Sequence, residues 1–348
     1  MPLDRRTFVT QLSALGLGGA LVDALWLGAQ DQERITTEIL RDAEAVAGLE
    51  FTPEEREMMV RGVNQHLEAY EAIRSVAIPN GVPPALHFDP RLPHMRLPGS
   101  GAGELDEAPA DVARRFDRVR VARQGTVRRP GRLEEVAFWP VTRLSELIRT
   151  GQVTSVELTD MYLERLRRHG SRLEAVITLT DELAMRQARR ADAELAAGVY
   201  RGPLHGIPWG AKDLLSTEGY RTTWGARPYE EQMIPEDATV VRRLEQAGAV
   251  LVAKLTLGAL AMGDVWFGGQ TRNPWDLEQG SSGSSAGSAA ATVAGLVGFG
   301  IGTETLGSIV SPSTRTGATG LRPTFGRVSR HGAMALSWSM DKIGPICR

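Results

Sequence analysis

The sequence predicts an α/β fold, a β-sheet with helices packed on its faces. Three observations carry this. From Thr142 onward, amphipathic stretches of helical spacing alternate with short apolar runs rich in β-branched residues. Turns bearing glycine or proline separate the two kinds of segment. The 348 residues are 42% hydrophobic and 24% charged, enough for one large core or two moderate ones.

Residues 4 to 29 place Arg5-Arg6 ahead of a Gly/Ala/Leu-rich stretch ending in Leu27-Gly28-Ala29. This resembles a twin-arginine export signal with a cleavage site, interrupted by Asp23; the other reading is an N-terminal amphipathic helix. A working signal implies a periplasmic or secreted protein, and without one the chain stays in the cytoplasm. Residues 31–76 read as helical, with Thr52-Pro53-Glu54-Glu55 as a helix start: a cap, a first-turn proline and acids at the positive end of the dipole. The Pro/Gly-rich stretch 77–110 reads as a linker, followed by an Arg-rich connector to Pro140. The expected organisation is a signal segment at 1–29, a helical extension and linker at 30–140, and the main domain at 141–348.

Within that domain "LSELIRTGQVTSVELTDMYLERLRRHG" gives two helices, the second starting near Thr154-Ser155 and ending at Gly170. "AVITLT" (175–180) is a strand and "DELAMRQARRADAELAAG" a helix. "GIPWGAKDLL" (206–215) is a strand and turn, "DATVVRRLEQAGA" a helix capped by Asp237, and "VLVAKLTL" a buried strand. Trp209 and Trp275 read as core, His205 as structural, and Asp213 as a loop-orienting or capping residue.

Net charge is −2, which predicts neither a nucleic acid nor an anionic membrane as partner. Beyond the N-terminus no segment is long and apolar enough to span a membrane. The single cysteine, Cys347, excludes an internal disulfide and a cysteine-based metal site, and the six histidines lack zinc-motif spacing. No metal or cofactor is expected. Of the 40 basic residues only Lys212, Lys254 and Lys342 are lysines. A buried lysine can lose its proton and act as a base, which arginine cannot.

"EQGSSGSSAGSAAATVAG" (278–295) admits three readings. A flexible linker is one, but a patterned Ala/Val/Leu helix follows at once. A nucleophile elbow is the second: Gly283-Ser284-Ser285-Ala286-Gly287 fits G-x-S-x-G with Ser285 as nucleophile and Glu304 and His331 as partners. It needs a hydrophobic strand entering the turn, and "NPWDLEQGSS" is polar. An S-x-x-K match at Ser339–Lys342 lacks its companion motifs. The third reading uses two serines and a lysine, with neutral Lys212 taking a proton through one serine from another.

"GPLHGIPWGAKDLL" (202–215), "TRNPWDLEQGSSGSSAGSAAATVAGLV" (271–297), "GIGTETLGSIVSPS" (300–313) and "TGLRPTFGRVSRHGAMALSWSMDKIGPICR" (319–348) resemble successive blocks of the amidase signature family, from about Thr142 to the last residue. The resemblance implies a mixed β-sheet core with helices on both faces. It implies hydrolysis of a carboxylic amide C–N bond, other than a peptide bond, through a Ser-Ser-Lys relay and an acyl-enzyme. By position it assigns Lys212 as base, Ser284 as the bridging serine with a cis peptide bond, and Ser308 as nucleophile. The backbone N–H groups of Thr305, Leu306, Gly307 and Ser308 would form the oxyanion hole, with Gly283 and Ser285 in support. It implies a small-molecule amide as partner and allows a homo-oligomer.

The family usually carries glycine at Leu306, Ser282 and Ala286, Asp at Glu304 and Arg at Val310. Leu306 would be strained if its backbone needs positive φ. The match stops before the part of the family domain that closes the sheet, so a truncated domain is expected. The rival expectations are a non-catalytic relative keeping the fold and an amidotransferase A-like subunit.

Overall fold

The computed structural model describes residues 34–79 and 127–348; the twin-arginine-like segment and most of the Pro/Gly-rich linker lie outside them. The chain divides into two compact units, to either side of residue 84. In the first, α1 (Thr37–Ala47) and α2 (Pro53–Ser75) form a helical pair. Thr52 and Glu55 complete a reciprocal capping box at the start of α2, with Pro53 in its first turn, as the sequence predicts. Arg56 forks onto Glu44 of α1, and this pairing holds the Glu44 carboxyl below its usual range.

The second unit contains a mixed six-stranded sheet. A 3-10 turn (Leu133–Phe138) leads to α3 (Val141–Arg149) and α4 (Ser155–Leu173), then β1 (Val176–Leu179), α5 (Asp181–Ala196), β2 (Pro208–Lys212), α6 (Thr239–Gln246) and β3 (Val250–Leu255). Two short hairpins follow, β4 (Val265–Trp266) with β5 (Gly269–Gln270) and β6 (Arg272–Asn273) with β7 (Asp276–Gly280). Then come α7 (Ala286–Val293), β8 (Phe299–Glu304), α8 (Val310–Thr316), β9 (Thr319–Gly320) and β10 (Lys342–Cys347). The order across the sheet is β1-β3-β2-β8-β10-β9. β2 runs parallel to both β3 and β8; the outer pairings are antiparallel.

Neighbouring β3 side chains point to opposite faces, and the core divides accordingly. Leu251 joins one cluster, with Leu144 of α3, Tyr162 of α4, Trp209 of β2 and Val241 of α6. Val250 and Val252 join the other, with Leu163 and Leu166 of α4, Ala184 and Ala188 of α5, and Ala290 and Ala291 of α7. Helices therefore cover both faces. Val127, Val136 and Ala137 belong to the first cluster, so this core begins upstream of Thr142.

Three local expectations change. α4 runs through Gly170 to Leu173 and stops at a left-handed Glu174; Gly170 lies inside the helix, where a Cβ would press on Val176 Cγ2 at 3.1 Å. Asp237 does not cap α6, whose N-cap is Ala238 without a side-chain bond; its carboxylate accepts from Glu218 N–H instead. Trp209 is buried as expected, but Trp275 is 74% exposed and anchored by its indole N–H to Thr316 O.

Candidate active site

The parallel β3-β2-β8 ladder brings distant segments to one end of the sheet. Lys212 is the last residue of β2, and its side chain is completely buried. Its Nζ lies 2.8 Å from Ser284 Oγ, 3.1 Å from Ser285 Oγ and 2.9 Å from Thr303 Oγ1. Burial holds the ammonium form well below the usual lysine value; the Glu304 and Asp341 carboxylates pull weakly the other way. A neutral amine has a lone pair to accept a proton.

The two serines are not equivalent. Ser285 donates its hydroxyl proton to Thr303 O at 3.0 Å and accepts from Thr303 N–H at 3.1 Å. Ser284 has no acceptor for its proton among the described residues other than Lys212, so that proton is free to point at Nζ. The Gly283–Ser284 peptide bond is cis, as the resemblance implies. Gly283 allows this by absence of bulk: a Cβ there would stand 1.8 Å from Gly263 O, a backbone atom. Asp264 steadies the same turn, accepting Ser282 N–H at 2.8 Å and the Gln270 amide at 3.1 Å.

Ser308 is half-buried at the entrance to α8. Its carbonyl accepts Ser285 N–H at 3.0 Å, which ties the two serine segments together. Glu304, at the end of β8, is fully buried on its side chain. One carboxylate oxygen accepts Ile309 N–H at 2.8 Å and Val310 N–H at 2.9 Å; the other meets Arg322 at 2.9 Å. It thereby folds residues 305–308 into a tight loop. Thr305 is held by Asp341, just before β10, which accepts its hydroxyl proton at 2.6 Å, and by Lys342 at the start of β10, whose Nζ donates to Thr305 O at 3.2 Å. The N–H groups of Leu306, Gly307 and Ser308 have no acceptor among the described residues. Such donors at the mouth of a loop can receive an anionic oxygen.

The Leu306 expectation resolves in an unforeseen way. Positive φ falls on Gly307 (122°) and on Ser282 (61°), not on Leu306, whose side chain is 81% exposed. The elbow reading does not assemble: Ser285 is buried, Glu304 is committed to backbone, and the His331 ring contacts Glu236 at 3.9 Å on the surface. His205 is structural as read, with one ring nitrogen accepting Arg201 N–H and the other 2.8 Å from Ala191 O. Sequence reasoning missed Thr303, Asp264 and Asp341. Only Thr303 carried a signal, lying two residues before the Thr305–Ser308 loop.

The amidase family model matches residues 157–348, more than half of the chain. The chain belongs to the amidase family. Among curated relatives of this chain, the A subunit of the glutamyl-tRNA(Gln) amidotransferase of Moorella thermoacetica is 43% identical over 217 residues, covering 62% of this chain and 45% of the relative. Its counterpart of the same name from Roseiflexus sp. is 48% identical, over 58% of this chain and 42% of the relative. Native peptide amidase from Stenotrophomonas maltophilia superposes with a TM-score of 0.59 at 40% identity, over 62% of this chain and 46% of that one. The amidase domain thus spans somewhat under half the length of these proteins.

Proposed function

We propose that this chain carries the machinery of an amidohydrolase that cleaves a carboxylic amide, other than a chain peptide bond, through an acyl-enzyme. The observation that carries the reading is the fully buried Lys212 amine, its ammonium form disfavoured by that burial, 2.8 Å from Ser284, whose hydroxyl proton has no other acceptor among the described residues. Lys212 Nζ takes the Ser284 proton while Ser284 Oγ takes that of Ser308. Ser308 Oγ bonds to the amide carbon, and the N–H groups of residues 305–308 receive the oxyanion. The relay then runs in reverse, delivering the proton to the departing amine as the C–N bond breaks. Water, activated by the same relay, releases the acid and restores Ser308.

Labelling with a fluorophosphonate, followed by peptide mapping, tests this. The expected adduct is on Ser308 and is lost in Lys212→Ala. An adduct on Ser285, or on Ser308 undiminished in Lys212→Ala, overturns the relay; no labelling favours a non-catalytic relative. A second reading, as one component of an amidotransferase, is favoured by the names of the sequence relatives. It predicts that the unlabelled chain turns over amides only when partner subunits are added. We also propose export through the Arg5-Arg6 signal, which a periplasmic fractionation of wild type against Arg5→Lys/Arg6→Lys would check.

A further inference from the structure

Beside the Ser-Lys cluster lies a cavity of about 350 Å³, and Thr303, whose hydroxyl meets Lys212 Nζ, forms part of its wall. Its chemistry is uneven. Trp338, Leu336 and Met334 supply apolar surface, while Arg330 and Lys342 supply two cations. Neither cation is matched by a carboxylate among the described residues. Arg330 has one long bond, to Ser337 O at 3.4 Å, and otherwise lies over the Phe325 ring. Lys342 donates only to Thr305 O. The carboxylate in the wall, Asp341, is already occupied: one oxygen takes the Thr305 hydroxyl, the other the N–H groups of Leu336 and Ser337. His331 also lines the space, 3.9 Å from Glu236. Spare donors on two cations, next to apolar walls, suit an anionic group attached to a hydrocarbon body. Lys342 donates to the Thr305 carbonyl, so the cavity adjoins the loop proposed to hold the oxyanion.

We infer that the cavity selects amides whose far end carries a carboxylate, bound by Arg330 and Lys342 with the chain of the substrate against Trp338 and Leu336. This rests on the amidase reading of the neighbouring site, and the test separates the two. Calorimetry on Ser308→Ala, which cannot turn substrate over, would compare the monoamide of adipic acid with its methyl ester, which keeps the carbon chain, adds one methyl group and carries no charge. The acid is expected to bind roughly tenfold more tightly, the worth of one hydrogen bond to a charged group. The preference should shrink with added salt and disappear in Ser308→Ala carrying Arg330→Gln and Lys342→Gln. An ester bound as tightly as the acid, no measurable binding of either, or a preference surviving in the triple variant overturns the inference. Ammonia release by the wild-type chain is read separately. Hydrolysis without acid preference in binding leaves the amidase reading standing and this one refuted; acid-selective binding with no hydrolysis and no Ser308 adduct does the reverse.

Discussion

Raising the pH should stabilise the wild-type chain relative to Lys212→Met. The Lys212 amine is completely buried, and burial holds its ammonium form well below the ordinary value of 10.5. Between the folded value and 10.5 the folded chain carries a neutral amine, while the unfolded chain binds the proton. The unfolded state then holds one more proton, so stability rises with pH across that window and is level below it. One proton corresponds to about 1.4 kcal/mol per pH unit. Methionine keeps the length and lacks the proton, and the other titrating groups, His169 and Cys347 among them, are common to both chains. Urea denaturation at half-unit steps from pH 7 to 10 gives the difference in unfolding free energy. It should climb by about 1.4 kcal/mol per unit above the folded value. The rate of fluorophosphonate reaction at Ser308 should rise through the same value and then level off, below 10.5. A difference that stays flat or falls across this range would mean that Lys212 is protonated in the fold and cannot accept a proton from Ser284.

Ser284→Ala removes the serine hydroxyl beside Lys212 whose proton has no other acceptor among the described residues, and should slow Ser308 labelling by on the order of 10²- to 10⁴-fold. Ser285→Ala should instead register first as lost stability, roughly 1–3 kcal/mol in urea denaturation, because Thr303 N–H loses its buried acceptor. Glu304→Gln leaves one oxygen where two served Ile309, Val310 and Arg322; about 1–3 kcal/mol and slower labelling are expected, and unchanged values of both would refute its role in folding the loop. Gly283→Ala puts a Cβ 1.8 Å from the Gly263 carbonyl oxygen; wild-type stability and labelling rate together would show that the turn is not as tightly backed as described.

The strongly patterned elements were legible because their pattern is local. α3, α4 and α6 show a clear apolar stripe, and β2 and β3 are continuous buried runs. β10 was not legible as a strand: Pro345 reads as a breaker, yet it pairs with Ile301 between β8 and the two-residue edge strand β9. Without β10 the Asp341–Thr305 and Lys342–Thr305 contacts have no cause, since its register on β8 creates them. Lys212, Ser284 and Ser308 were proposed from their types and blocks, but not the different hydrogen bonding of Ser284 and Ser285, which depends on Thr303 across the ladder. Leu306 drew suspicion as a residue standing in for glycine. The positive φ in that loop belongs to Gly307, and composition alone does not say which residue of a loop must turn left-handed.

The scarcity of lysine finds an explanation at all three positions, for each is met at or beside this end of the sheet. Lys212 must give up its proton, which a guanidinium does not do. Lys342 presents a single compact charge between the Thr305 carbonyl and the cavity. Lys254, on β3, is completely buried; it donates to Arg221 O at 3.0 Å and Thr222 Oγ1 at 3.0 Å and forms an ion pair with Asp213 Oδ1 at 2.8 Å, so its ammonium group faces three oxygens. Arginine would bring five donors to a space offering three partners, leaving two unpaired in the core. Asp213 follows Lys212 directly, its N–H donates to Leu255 O, and its other carboxylate oxygen takes the Thr223 N–H and hydroxyl. The pair therefore fixes the chain just where β2 delivers the catalytic candidate. Lys254→Met should strand the Asp213 charge and cost about 3–5 kcal/mol, whereas Lys254→Met with Asp213→Leu should recover much of it. If the double variant regains stability but labels Ser308 as fast as wild type, the pair serves the core alone. If it regains stability and labels slowly, the pair positions Lys212.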